Sequence, residues 1–115
     1  MARALVVDDD AALRLLCRVN LELEGFAVRE AESVDAADAA VAAERPDVVL
    51  LDVHLGGELA FELLARLRAD GIPVALVTGS VDIDEYRDAA DAVIAKPFEP
   101  TELVETARRL ARVSP

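Results

Sequence analysis

Asp47-Val48-Val49-Leu50-Leu51-Asp52 decides the fold. Four consecutive branched apolar residues, Val48 to Leu51, have no polar face, so they read as a strand covered on both sides, as in a parallel sheet. The run stops at an acid, Asp52. The carboxyl end of a parallel strand is where open α/β sheets hold their ligands. Gly56 and Gly57 follow closely and would let the backbone pass near a bound group. Asp52 also fits as a plain strand terminator beside a loop, so the flanking sequence has to decide.

The chain has 115 residues, enough for one domain with one good core, and 54% of them are hydrophobic, which argues for folding over disorder. Its 23 acidic and 12 basic residues give a formal charge of −11. That balance argues against direct contact with nucleic acid or anionic membranes and suits hard cations and basic protein partners. Cys17 is the only cysteine, so no internal disulfide can form and a reducing cytoplasm is the expected home. No stretch approaches the roughly 20 apolar residues of a membrane span, and no signal-peptide pattern opens the chain. Tryptophan is absent and aromatics are 3%, so no base-stacking platform is expected.

Outward from the central run, apolar segments alternate with helical periodicity. Arg3 to Val7 reads as strand one and ends in Asp8-Asp9-Asp10. Asp9 or Asp10 can cap a helix from Ala11 to Glu24, and acids in its first turn suit its dipole; Leu13, Leu16, Cys17 and Leu21 point inward, Arg14, Arg18 and Glu22 line another face, and Gly25 is the stop. Phe26 to Ala31 is a half-exposed second strand. Ser33 caps an alanine-rich helix through Glu44, and Pro46 blocks its continuation. Glu58 to Ala69 reads as the third helix, with Phe61, Leu63, Leu64 and Leu67 inward and Asp70-Gly71 as its stop. Ile72 to Val77 is the fourth strand, ending at Thr78. Val81 to Asp91 is acidic and poor in large apolar residues, which predicts a short helix or an ordered loop. Ala92 to Ala95 is the fifth strand, ending at Lys96-Pro97-Phe98. A last helix runs from Pro100 or Thr101 to about Arg112, with Leu103, Val104, Ala107 and Leu110 inward. Alternating strands and helices predict a flavodoxin-like, doubly wound five-stranded parallel sheet of order 2-1-3-4-5.

That order brings the carboxyl ends of strands one, three, four and five to one edge. Asp8, Asp9, Asp52, Thr78 and Lys96 therefore converge. Two unit charges about 4 Å apart interact by roughly 4 kcal/mol at an effective dielectric near 20. One lysine offsets only part of the repulsion among three carboxylates, so a divalent cation is expected. Oxygen-only donors point to Mg²⁺ or Mn²⁺; His54 and Cys17 make no zinc set. Acid, hydroxyl, lysine and Mg²⁺ together are equipped for phosphoryl transfer, with an Asp as nucleophile. Each residue also has a plainer reading. Asp8 and Asp9 fit as helix caps, Thr78 as a turn residue, Lys96 as a surface charge and His54 as a loop histidine.

Val6-Val7-Asp8-Asp9-Asp10, Leu50-Leu51-Asp52, Val77-Thr78-Gly79 and Lys96-Pro97-Phe98 resemble, in order and spacing, the receiver domain of two-component response regulators. The resemblance spans residues 1–115 as one receiver domain. It implies a signalling switch rather than a turnover enzyme. Asp52 would accept a phosphoryl group from a phosphohistidine on a sensor histidine kinase or phosphotransfer protein. Asp9 and Asp52 would bind Mg²⁺ directly with the backbone carbonyl of His54, and Asp8 would act through metal-bound water. Thr78 and Lys96 would contact phosphoryl oxygens, and the Lys96–Pro97 bond would be cis. The signal would pass by contact to a downstream protein or an output domain outside these residues.

Three features depart from the family pattern. The loop after Asp52 reads His54-Leu55-Gly56-Gly57-Glu58, where most receivers have a proline and later an Asp-Gly pair. Val93 stands where an aromatic switch residue is usual. The interval from Thr78 to Lys96 is about one helical turn short, so the fourth helix would be short or absent. These features resemble an atypical subclass with a reduced fourth helix, often paired with HWE-type kinases. Two other readings use much of the same chemistry. One is a haloacid-dehalogenase-type phosphatase, in which the nucleophile comes early and a second acidic pair late. The other is a degenerate receiver acting only by binding.

Overall fold

A computed structural model of the chain describes residues 1–55, 58–79 and 87–112. Its strands are β1 (Arg3–Val7), β2 (Ala27–Ala31), β3 (Val48–Leu51), β4 (His54–Leu55), β5 (Glu58–Leu59), β6 (Val74–Thr78) and β7 (Ala92–Ala95). Its helices, among the described residues, are α1 (Ala11–Leu23), α2 (Val34–Ala43), α3 (Phe61–Ala69) and α4 (Pro100–Ala111). The main sheet has the order β2-β1-β3-β6-β7, every pair parallel. This is the predicted 2-1-3-4-5 winding, with β4 and β5 set apart as a small antiparallel ribbon.

Strand alternation divides the core. Leu5, Val7, Val49, Leu51, Val74 and Leu76 face one side and pack under α2 and α3, with Ala37, Leu63, Leu64 and Leu67. Ala4, Val6, Val48, Leu50, Ala75, Val77 and Ile94 face the other and pack under α1 and α4, with Cys17, Leu21, Leu103 and Ala107. The central run Val48–Leu51 is buried on both faces, as its composition requires.

The helix ends follow local chemistry. Asp10 Oδ1 accepts from the N–H groups of Ala12 (3.0 Å) and Leu13 (3.3 Å), so Asp10 caps α1. Ser33 Oγ accepts from Ala36 N at 3.1 Å and caps α2. Gly25 (φ 92°) and Gly71 (φ 75°) turn the chain after α1 and α3 in a conformation that side-chain-bearing residues disfavour.

Four expectations need correction. The third helix starts at Phe61, not Glu58, because Glu58 and Leu59 pair with Leu55 and His54 and leave the helical path. The fourth main-sheet strand starts at Val74, not Ile72: Pro73 has no N–H to give a ladder, though its carbonyl accepts from Val49 N at 3.0 Å. Leu16 is 43% exposed, because α1 buries the narrower Cys17–Leu21 line. No acid lies inside the first turn of α1; Asp10 precedes it as the cap. Of the stretch Val81 to Asp91, where a short or absent fourth helix is expected, residues 81–86 lie outside the described residues, as does the glycine pair 56–57. Arg87 to Ala90 form a turn and bend leading into β7.

Candidate functional site

β1 and β3 are neighbours in register, Val7 beside Leu51, so the next residues, Asp8 and Asp52, leave the sheet side by side. Asp52 N still donates to Val7 O at 2.9 Å, which ties the two exits together. Each acid is then fixed by its own chain two residues on. Asp8 Oδ1 accepts from Asp10 N at 2.9 Å, and Asp52 Oδ1 accepts from His54 N at 3.1 Å. These are Asx turns, the local bonds that short acidic side chains make at strand ends. Each uses one carboxylate oxygen and leaves the other to face the pocket.

Lys96 fills that space from the end of β7. Its Nζ donates to Asp8 Oδ2 at 3.1 Å and to Asp52 Oδ2 at 3.3 Å. Both acids are nearly buried, at 3% and 7% exposure, so the lysine is their main compensation. Burial holds the Asp8 carboxyl above its usual range, against the opposing Asp10 N–H and Lys96. Burial alone would lower the Lys96 pKa, but its bond to Asp8 and the charges of Asp8 and Asp52 outweigh this and raise it.

Asp9 completes the acidic set. One carboxylate oxygen from each of Asp8, Asp9 and Asp52 lies within 4.8 Å of the others, with Asp9 exposed to solvent. Oxygens held at about 2.0–2.1 Å by one octahedral Mg²⁺ lie roughly 3–4 Å apart, a spacing compatible with that bound. A hard, oxygen-only set open on one side fits an octahedral ion that keeps several waters.

Thr78 ends β6 fully buried, opposite Ala95, and its carbonyl accepts from Lys96 N at 2.9 Å. It is thus brought to the same sheet edge and tied to the lysine's backbone. His54 is exposed, with its N–H on Asp52. The Lys96–Pro97 peptide is cis, as the resemblance implies. Val93 is half-buried in β7. Cys17 lies beneath the site in the α1 core, and burial, reinforced by the Asp8 charge, pushes its thiol up to about 11.

One participant escaped the sequence reading. Arg14, placed above on another face of α1 with Arg18 and Glu22, donates from Nη1 to the backbone carbonyl of Asp8 at 2.7 Å. The signal was available: helical side chains lean toward the N-terminus, so a long cation four residues past the cap reaches the preceding loop.

Comparison with known proteins agrees with this geometry. The chain matches the family model of the response regulator receiver domain over residues 4–108. It is 36% identical over 116 residues to the phosphate regulon transcriptional regulatory protein PhoB of Pseudomonas aeruginosa, covering 94% of this chain and 51% of that protein. It is 39% identical over 115 residues to the DNA-binding response regulator MtrA of Mycobacterium tuberculosis, covering 96% and 50%. The chain thus spans about half the length of the curated relatives it matches. Among solved structures, the receiver domain of NtrX from Brucella abortus superimposes with a TM-score of 0.88 at 32% identity, covering 96% of this chain and 99% of that one. A CheY-like receiver domain protein from Methanospirillum hungatei gives 0.88 at 30% identity, covering 97% and 94%.

These relatives overturn one expectation. Nucleic acid was excluded as a direct partner on the strength of the −11 charge. MtrA is named a DNA-binding regulator and PhoB a transcriptional one. The charge of a segment matching half of such proteins carries no information about the other half, so the exclusion does not stand. The phosphatase reading falls too, because the acids, their order and the matched span all follow one pattern: this chain belongs to the response regulator receiver domains, the signalling switches of two-component systems.

Proposed function

We propose that residues 1–115 form one receiver domain that is phosphorylated on Asp52, with Mg²⁺ held by Asp9, Asp52 and the His54 carbonyl, and by Asp8 through water. The observation that carries this reading is the Lys96 ammonium bridging Asp8 and Asp52 at 3.1 and 3.3 Å, with Asp9 beside them. Bound Mg²⁺ would neutralise phosphoryl oxygens and fix the acceptor carboxylate.

The chain's own groups then divide the work. Asp52 Oδ2, held by Lys96 in the resting site, attacks the phosphorus of a phosphohistidine on a sensor kinase or phosphotransfer protein. A P–O bond forms, the P–N bond breaks, and the electron pair returns to that ring nitrogen; the proton already on the other ring nitrogen makes the leaving group a neutral imidazole. Lys96 leaves Asp52 and follows the negative charge onto the transferred group. Thr78 supplies a hydroxyl donor to another phosphoryl oxygen. The added charge shifts the ends of β6 and β7, and that surface carries the signal to a protein partner or to an output domain. The names of the curated relatives favour a DNA-binding output for a longer protein carrying this domain. A cytoplasmic setting fits the single buried thiol, and no helix among the described residues is long and apolar enough to cross a membrane.

The test is acetyl phosphate with and without Mg²⁺, read by intact mass. The parent gains one phosphoryl group only with the metal, and Asp52→Asn gains none. Uptake by Asp52→Asn at the parent rate, or no uptake by the parent from acetyl phosphate or any kinase, overturns the proposal. The second result would leave the degenerate, binding-only receiver.

A further inference from the structure

Arg14 is the least exposed arginine among the ion pairs of the described residues. Its side chain is 15% accessible, against 39–53% for Arg3, Arg18, Arg66, Arg68 and Arg108. It also sits where helix electrostatics disfavour it, one position past the first turn of α1, at the positive end of the helix. A local preference broken at a largely buried position needs a compensating use.

The contacts supply one. Nη1 of Arg14 donates to the Asp8 carbonyl at 2.7 Å, while Nε donates to Glu30 Oε1 on β2 at 3.2 Å. Glu30 Oε2 in turn accepts from Arg18 Nη1 at 3.0 Å, and Arg18 Nε binds Glu22 at 3.1 Å. The strut therefore runs from the sheet edge to one carbonyl and stops there. That carbonyl belongs to the peptide joining Asp8 to Asp9. A peptide group is rigid and planar, so fixing its oxygen fixes ψ of Asp8 and φ of Asp9 together. The other side of Asp8 is already set, because its N–H donates to Ala31 O at 3.1 Å. Between them, these bonds decide how the two neighbouring carboxylates are presented.

We propose that Arg14, steered by Glu30, is a positioning residue: it locks the Asp8–Asp9 peptide so that both acids are pre-arranged for a divalent cation. This rests on the metal-binding reading above. In these bonds Arg14 reaches the site through the Asp8 carbonyl, a backbone atom.

The experiment uses the full chain and four variants: Arg14→Met, Arg14→Lys, Glu30→Gln and Arg18→Met. Mg²⁺ affinity is titrated by amide chemical shifts, and phosphorylation by acetyl phosphate is followed against Mg²⁺ concentration. Arg14→Met should weaken Mg²⁺ binding roughly tenfold, the low end for groups that orient metal ligands. Its maximal phosphorylation rate at saturating Mg²⁺ should match the parent, because no reacting atom has been touched. Arg14→Lys should recover part of the loss, since an ammonium can reach the carbonyl but cannot also fork to Glu30. Glu30→Gln should show a smaller loss of the same kind. Arg18→Met removes the same charge without touching the carbonyl and should bind Mg²⁺ as the parent does.

Equal weakening by Arg18→Met and Arg14→Met would reduce the effect to bulk charge and overturn the inference. So would parent-like affinity in Arg14→Met. If Arg14→Met does not fold, Arg14→Lys and Glu30→Gln decide by the same criterion, parent-like affinity in both being the refutation. A parent chain that binds no Mg²⁺ refutes the underlying site reading instead, which keeps the two failures distinct.

Discussion

Replacing Lys96 by methionine preserves the side chain's length and removes its charge from a pocket with two nearly buried acids. At 3.1 and 3.3 Å, each Lys96–carboxylate pair has a Coulomb attraction of roughly 5 kcal/mol at an effective dielectric near 20. Most of that is offset by the desolvation already incurred, and leaving a buried charge without its partner costs about 3–5 kcal/mol in measured cases. The lysine side chain is 25% exposed and the acids can take up a proton, so the expected loss is about 2–3 kcal/mol. At this length that lowers the melting temperature by about 10 °C in EDTA. Magnesium should reverse the comparison. In the parent, the cation competes with the ammonium for the charge of Asp8 and Asp52; in Lys96→Met that charge is uncompensated, so Mg²⁺ should bind roughly tenfold more tightly, about 1.4 kcal/mol. Paired melts by circular dichroism, with and without Mg²⁺, and a Mg²⁺ titration measure both effects. An unchanged melt in EDTA, or weaker Mg²⁺ binding, would refute the view that Lys96 stands in for the metal. The sign with pH follows from the raised Lys96 pKa. Its contribution is complete below 10.5 and is lost as pH rises through the higher folded value, so the deficit should close only above 10.5.

Asp8→Asn keeps an acceptor for Asp10 N but removes a charge that burial disfavours. The metal-free variant should melt no lower than the parent at pH 7 and bind Mg²⁺ roughly tenfold more weakly; clear destabilisation in EDTA would contradict the charge account. Because the Asp8 pKa is raised, the parent's penalty is absent below 3.8, grows from there to the folded pKa, and stays constant above it, so the advantage of the variant should fade on acidification. Cys17, with its thiol pushed up to about 11 and its side chain buried, should resist iodoacetamide at pH 8 until denaturant is added, as read by mass. Leu50→Ala, at a site 1% exposed on the central strand, should cost about 2–5 kcal/mol in urea unfolding.

Much of this was legible from residue order because the information was redundant. Val48 to Leu51 could only be a strand covered on both faces, and winding the neighbouring strands beside it left Asp8, Asp52 and Lys96 no other meeting place. What escaped depended on partners distant in sequence or on very short elements. A two-residue strand such as Glu58–Leu59 carries no period to detect, and helical spacing absorbed it into α3. Leu16 fits the apolar rhythm of α1 yet remains exposed, because rhythm identifies a face without saying how much of it is covered. Arg14 looked like one more outer charge, since its target is a backbone carbonyl, which no residue name reveals. The error about nucleic acid had another source, a net charge extended beyond the residues that carry it.

The sheet separates Leu50 from Leu51 more completely than their adjacency suggests. One side chain lies in the layer beneath α1 and α4, the other in the layer beneath α2 and α3. Adjacent alanine substitutions there should sum almost independently, because the two side chains belong to separate core clusters. Over generations, the two halves of the interior are free to drift on separate schedules, each repairing its own losses.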